Sequence, residues 1–505
     1  MHKKKVVGNS FIGFIYKILM MVIGFVSRKI FIVYLGEEIL GLNSLYANLL
    51  DFLNLADLGI GIAVQYQLYG PLVKKDYNKQ SKIISAAKTL YNKIGLFVFA
   101  AGIVLSFFIQ ILIKETTYPI NFVRVSFLIS VIGVGCGYFF VHKRLFLQAD
   151  EELGLVNIID LSAKVGTTVL SLILTIVFRN YFIYLIINAL YGFTSNIIIH
   201  FIFIKKYPNV SARRKDNEIE KKSLTADLKN VVPLKFSDYI YKSTDNVIVS
   251  KVLGLVTVAR YSNYMTIING IMGMEFILGN VITASMGKAI KEKDDTCKIY
   301  EYYCVFQYAQ FLFTNFCTIS LVVLCTPFIK LWIGEEFIIE NNVFILLIIN
   351  FFIHSMYQPA NVMYGAAGKF KDDKYITITS AVLNIVISIS MVFILGLSGV
   401  IIGTIVTDVY ILFIRSYQIV KKFFKANLLK YVLLFMRYTI ITVAGIFLSV
   451  YLSQFITTNS LITELVLKGI ICVLVPNILA IVGTFDIKEF KSVYKMVLGR
   501  ARRRL

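Results

Sequence analysis

Apolar runs of about twenty residues or more alternate along this chain with short basic or polar breaks. The pattern predicts fourteen helices, at about 11–35, 43–68, 84–113, 120–141, 153–178, 181–204, 231–253, 258–287, 299–332, 341–366, 375–396, 399–420, 431–453 and 461–484. A helix crossing a hydrocarbon core of about 30 Å needs roughly 20 residues at 1.5 Å each, and these runs are long enough. The expected class is an all-α polytopic membrane protein.

Composition supports this. Of 505 residues 57% are apolar, and the mean hydropathy is +0.73, whereas soluble domains sit near 45–50% apolar. A soluble enzyme with one anchor is excluded. The net charge of +22 lies in the breaks. With the amino terminus in the cytoplasm, 35 of the 52 Lys and Arg fall on that side, in the tail and loops at 74–82, 143–144, 205–229, 288–298, 369–374, 421–430 and 488–504. The opposite side holds little beyond Lys114 and Arg179, with Lys251 and Arg260 at helix ends, and is acidic around Glu37-Glu38 and Glu335-Glu336. This asymmetry predicts an even number of spans, both termini cytoplasmic, and residence in the cytoplasmic membrane. The basic surplus then faces anionic lipid, and a nucleic-acid partner is not needed. Lys3-Lys4-Lys5 before an apolar run resembles a signal peptide, but Lys17 interrupts the run and no small-residue cleavage site follows, so the segment reads as an uncleaved first helix.

A weak repeat divides the chain. A gap-free shift places Leu35-Gly36 on Leu253-Gly254, Ser44 and Tyr46 on Ser262 and Tyr264, Gly61 on Gly279, Lys75-Asp76 on Lys293-Asp294, and Lys17 on Lys235. The expected organisation is a six-helix bundle (1–204), a basic cytoplasmic linker (205–230), a second six-helix bundle in the same orientation (231–420), an additional helix pair (421–485) and a basic tail (486–505). Parallel repeats of this kind place a substrate site between two bundles related by an axis along the membrane normal.

Built-in chemistry is sparse. Gly287-Lys288 and Gly368-Lys369 lack the rest of a phosphate-binding loop, so no ATPase is expected. His2, His142, His200 and His354 form no metal spacing, and Cys136, Cys297, Cys304, Cys317, Cys325 and Cys472 form no CxxC pair and read as free thiols. Gly59-x-Gly61 and Gly133-x-Gly135-x-Gly137 read as close helix packing. The outer loops are too short for a glycosyltransferase site. The expectation is a non-enzyme without cofactor or metal.

What remains is charge inside the membrane, where each ion costs about 2.5–3.5 kcal/mol and must face protein or water. In helix seven Lys235, Asp238, Lys242 and Asp245 fall on one stripe within about 80°, either neutralising one another or walling a polar cavity. Lys17 and Arg28 in helix one lie about 20° apart, as cavity cations or as snorkelling anchors. Asp51, Asn54 and Asp57 share an arc of helix two, and Glu275 takes the place of Asp57 in the second repeat; these carboxylates suit a coupling cation or the lysines. Asp408 with Arg415, and Asp160 with Lys164, read as structural ion pairs. Aromatics other than Trp332 are Tyr and Phe, suited to interface belts, with some Tyr available to stack on sugar rings.

Arg28-Lys-Ile-Phe-Ile-Val-Tyr-Leu-Gly36, Gly41-Leu-Asn-Ser-Leu-Tyr46, Leu55-Ala-Asp-Leu-Gly-Ile60, Pro327-Phe-Ile-Lys-Leu-Trp-Ile-Gly334, and Asn384 with Gly396-Leu-Ser-Gly-Val-Ile-Ile-Gly403 together resemble Wzx-type polysaccharide repeat-unit flippases of the multidrug/oligosaccharidyl-lipid/polysaccharide exporter superfamily. The resemblance covers about residues 5–420. It implies a V-shaped, MATE-like pair of bundles that moves lipid-pyrophosphate-linked oligosaccharides outward by alternating access, with helices one, two, seven and eight lining the cavity. On that basis Lys17, Arg28, Lys235 and Lys242 are expected to hold the headgroup and Arg260 to receive it, with Asp51, Asp57, Asp238, Asp245, Glu275 and Asp408 as ion-coupling or ion-pairing groups. Expected partners are a lipid-linked oligosaccharide, membrane lipids and other polysaccharide assembly proteins. The alternatives are a cation-coupled drug antiporter of the same superfamily, which favours an acidic aromatic cavity, and a polytopic assembly enzyme, which the short outer loops disfavour.

Overall fold

A computed structural model describes residues 2–54, 60–212, 218–226, 239, 243–291, 296–367, 370–456, 458 and 460–492, and they contain no strand. The chain forms two compact units, Met1–Ser262 and Asn263–Leu505. The first contains α1 (His2–Leu35), α2 (Glu37–Asn54), α3 (Ile60–Val73), α4 (Tyr77–Phe108), α5 (Ile120–Tyr138), α6 (Val141–Ala149), α7 (Leu153–Phe178), α8 (Tyr181–Lys206), α9 (Glu218–Ala226), α10 (243–252) and the start of α11 (Leu255–Lys291). The second contains the remainder of α11, then α12 (Thr296–Trp332), α13 (Asn341–Ala366), α14 (Phe370–Leu395), α15 (Leu397–Ser416), which runs on as a π-helix over Tyr417–Phe423, α16 (Leu428–Gln454) and α17 (Leu461–Thr484). Among the described residues ten helices are long and apolar enough to cross a membrane, and the protein is a multi-pass membrane protein.

Local chemistry sets the boundaries. The Asp76 carboxylate accepts from Lys79 N at 2.9 Å and caps α4, and Asn180 and Asn427 cap α8 and α16 in the same way. Two corners require glycine. Gly36, between α1 and α2, has φ +90°, and Gly254, between α10 and α11, has φ +93°, a region closed to side chains. The sequence repeat aligns these two glycines, and the structure gives them one conformation.

Buried tyrosines repeat too. Tyr46 donates to Val123 O at 2.8 Å in α5, while Tyr264 accepts from Ile339 N at 3.4 Å just before α13; each ties the helix after a glycine corner to the start of the fourth predicted span of its half. Small residues bring helices together: a Cβ on Gly133 would meet Ala189 Cβ at 2.8 Å, and one on Gly135 would meet the Phe99 ring at 2.8 Å.

In the second unit α16 and α17 pack on α12 and on each other. Phe311 stacks on Tyr438 at 4.0 Å between ring centres, Tyr308 and Thr484 share a hydrogen bond of 2.9 Å, and Asn315 Nδ2 donates to Pro476 O at 3.1 Å.

Three local departures from the sequence expectation stand out. The second predicted helix, 43–68, corresponds to α2 and α3, which begin earlier at Glu37 and end later at Val73, with residues 55–59 outside the described ones. Glu37 and Glu38 lie in the first turn of α2 instead of a loop, where negative charge opposes the helix dipole favourably. His142, Lys143 and Arg144 lie in a short helix, α6, which buries His142 and Lys143 along with Leu145, Phe146 and Leu147.

Candidate functional site

Each unit carries several of the charged residues expected to matter. Of the residues expected to matter, Asp57, Lys235, Asp238 and Lys242 lie outside the described residues, and of Lys17 only the backbone, in α1, is described.

In the first unit Arg28 projects from α1 and its guanidinium donates to Ser262 Oγ on α11. Ser44 on α2 donates to the same oxygen at 3.2 Å. The corner at Gly36 makes this possible by folding α2 back from α1, and the absent side chain at Gly41 lets α2 approach the main chain of α11, since a Cβ there would collide with Leu255 O. Asp245 is buried and accepts from Tyr261 Oη at 3.3 Å. Tyr239 donates to Asn48 O at 2.5 Å and packs on Phe52. Asp51 is exposed on α2. Arg260 stands 3.7 Å from Glu37, in an ion pair beside the glycine corner. A guanidinium is chemically suited to an anion, and the tyrosines and Phe52 add flat faces of the kind on which sugar rings stack.

In the second unit Glu275 on α11 is 5% exposed. Its Oε1 accepts from Ser355 Oγ on α13 and from Gln310 Nε2 on α12 at 3.1 Å, while its Oε2 is buried with no hydrogen-bond partner among the described residues. Thr314 and Ser355 share a 2.6 Å hydrogen bond. One residue along α13, His354 Nδ1 is 3.5 Å from Asp408, which also accepts from Asn350 at 2.8 Å. A carboxylate oxygen buried without a partner costs several kcal/mol unless a proton or cation joins it.

One expected pairing needs correction. Asp160 pairs with Arg144 on α6 at 2.5 Å, and Lys164 instead lies over the Tyr191 ring at 4.9 Å; the short α6 brings a planar guanidinium that takes Asp160, Ser195 and Asn196 together. Asp408 also lies beside His354 and accepts from Asn350, and Arg415 donates to Asn361, so α13 supplies partners to α15 at two points. Gln310, Thr314 and Ser355 were not singled out from sequence. The signal was present: Gln307, Gln310, Thr314 and Thr318 form a polar stripe at helical spacing within the apolar run of α12.

No protein-family profile matches the chain, and no curated protein matches it in sequence. Its fold is that of MATE-like exporters and flippases. The lipid II flippase MurJ in an inward closed conformation superposes with a TM-score of 0.70 at 15% identity, over 94% of this chain and 98% of that one. A multidrug resistance MATE family transporter of the MOP superfamily superposes in its inward-facing form with a TM-score of 0.64 at 14% identity, over 81% and 98%, and in its outward-facing form at 0.59 and 14%, over 82% and 94%.

Proposed function

We propose that this protein is a flippase that moves undecaprenyl-pyrophosphate-linked oligosaccharide repeat units from the inner to the outer leaflet of the cytoplasmic membrane, for capsule or another surface polysaccharide. The observation that carries the reading is Arg28, a cation within an apolar helix whose guanidinium meets Ser262 inside the fold, as a polar cavity for a charged headgroup requires. A pyrophosphate carries about two negative charges, which cannot cross hydrocarbon unaided; guanidinium and ammonium groups replace its water while the polyprenyl tail stays in lipid. Lys17, Lys235 and Lys242 join Arg28 in this role, with Arg260 as the receiving group. That a similar fold is named a lipid II flippase agrees with a lipid-linked substrate. Other polysaccharide assembly proteins are the expected partners.

Coupling is assigned to the carboxylates. Glu275, with a buried oxygen lacking a partner among the described residues, is the group to take a proton or sodium ion, and Asp408 with His354 lies next to it along α13; Asp51, Asp57, Asp238 and Asp245 serve the first unit. The same carboxylates favour a second reading, a cation-coupled drug antiporter, to which the MATE structures also point. The lipid-linked intermediates of a deletion strain decide: completed repeat units accumulating at the inner leaflet support the flippase, whereas normal polysaccharide with new sensitivity to cationic drugs supports the antiporter.

A further inference from the structure

Around the start of α6, side chains from three helices form a cationic cluster that transport through the first group of residues leaves unused. Lys143 is 8% exposed, and its ammonium donates to Nδ1 of His200 on α8 at 2.6 Å while lying over the Phe203 ring at 5.4 Å. His142 is 2% exposed, and its Nδ1 has no hydrogen-bond partner among the described residues. Burial first, then the charges of Lys143 and of Lys88 on α4, push the His142 imidazole down to about 3. The neighbouring Arg144 is turned away, onto Asp160, Ser195 and Asn196, and that clamp fixes α6 and hence the direction of Lys143.

We propose that Lys88, His142, Lys143 and His200 form a binding site for a phosphate group. Because His200 Nδ1 accepts from Lys143, its Nε2 carries the proton and is a donor. The Lys143 ammonium and the His200 Nε2–H place donors side by side at a positive centre, which suits a tetrahedral oxyanion with acceptors on every side better than a planar carboxylate. His200 is partly exposed beside Phe201, which is 67% exposed, so the cluster opens on the outer surface of α8. It lies six residues before the end of α8 at Lys206, about 9 Å along the axis, the depth of a membrane interface. A phosphate reaches it either as an anionic lipid headgroup or as a free ion.

The test uses the full chain, purified in detergent and stripped of lipid. Short-chain phosphatidylglycerol is titrated by native mass spectrometry, and inorganic phosphate is titrated both by thermal unfolding and as a competitor. The parent is expected to retain a phosphatidylglycerol that Lys143→Gln with His200→Gln weakens about tenfold or more, with Lys143→Arg retaining most of the affinity and Lys205→Gln unchanged. Competition by inorganic phosphate assigns a free anion, and its failure to compete assigns the lipid headgroup. If the double variant does not fold, His200→Gln alone, at a partly exposed ring, is read with the same probes. Equal retention by parent and variants, or no binding of either probe, overturns the site.

Discussion

Ser44 Oγ donates to Ser262 Oγ at 3.2 Å, and the two serines stand 218 residues apart, the period by which the halves of the sequence align. Equivalent positions of the two sequence repeats therefore touch here, and Arg28 donates to the same Ser262 oxygen. The guanidinium sits at the point where the duplicated pattern meets its own copy, and a substrate group bound to it as proposed would lie within reach of both serines.

Loss of that guanidinium should cost transport. Arg28→Ala is expected to lower the export rate by about tenfold or more, corresponding to roughly 1.5–3 kcal/mol for a charge-assisted contact, with Arg28→Lys intermediate and Ser262→Ala milder. Surface polysaccharide and inner-leaflet lipid-linked intermediates measure it, with expression checked by immunoblot. Parental export by a well-expressed Arg28→Ala would remove Arg28 from the headgroup site.

Glu275→Gln keeps the hydrogen-bonding shape of the side chain and deletes its charge. Transport in vesicles should proceed without ATP in the parent and respond to an imposed proton or sodium gradient, and the substitution should abolish the response to the gradient while the protein stays folded. A Glu275→Gln protein that still follows the gradient would place coupling elsewhere.

A methyl group has no room at position 41. Such a carbon would collide with the carbonyl oxygen of Leu255, so Gly41→Ala must push α2 from α11, at a cost of about 1–3 kcal/mol. Thermal unfolding of the detergent-purified variant, against Gly24→Ala where nothing lies within 4 Å, separates crowding from the general effect of adding a methyl group.

Acid should weaken the first unit through His142. Its imidazole is pushed from an ordinary 6.5 to about 3, so below pH 6.5 the unfolded chain takes a proton that the folded chain refuses, and stability falls as pH drops through that window, by up to about 1.4 kcal/mol per pH unit. In phosphate-free buffer His142→Gln should flatten the decline between about pH 6.5 and about pH 5. An unchanged slope would show that other groups set the acid response.

Topology follows from the basic loops. Single cysteines at Asn217 and Asp373 in a thiol-free background should be protected from an impermeant reagent in intact cells, and one at Asn341 should react. Labelling at Asn217 would reverse the orientation or change the number of spans.

Long apolar runs bounded by caps and charges were readable directly: α7 (Leu153–Phe178), α13 (Asn341–Ala366) and α17 (Leu461–Thr484) begin and end where hydropathy places them, because in a bilayer each backbone polar group must be satisfied within its own helix. The repeat was readable because Gly36 and Gly254 answer a steric demand that no other residue meets. Pairing partners were not. Asp160 had a lysine four residues along its own helix, yet a guanidinium from α6 reaches it with better geometry, and i,i+4 spacing carries no information about a third helix. The Glu275 cluster draws one residue each from α11 and α13 and two from α12, and only the α12 stripe leaves a mark in the order of residues.

Gly36 and Gly254 turn the chain at φ +90° and +93°, beyond the milder left-handed conformations of Lys75, Glu151, Arg179 and Lys425 at φ 48–60°. A gene that grows by doubling inherits two copies of every intolerant codon. In a saturation library, then, lesions at these two positions should mimic one another in severity and chemical profile, each rejecting even alanine, so that the ancestry of the fold is legible in its pattern of mutational damage.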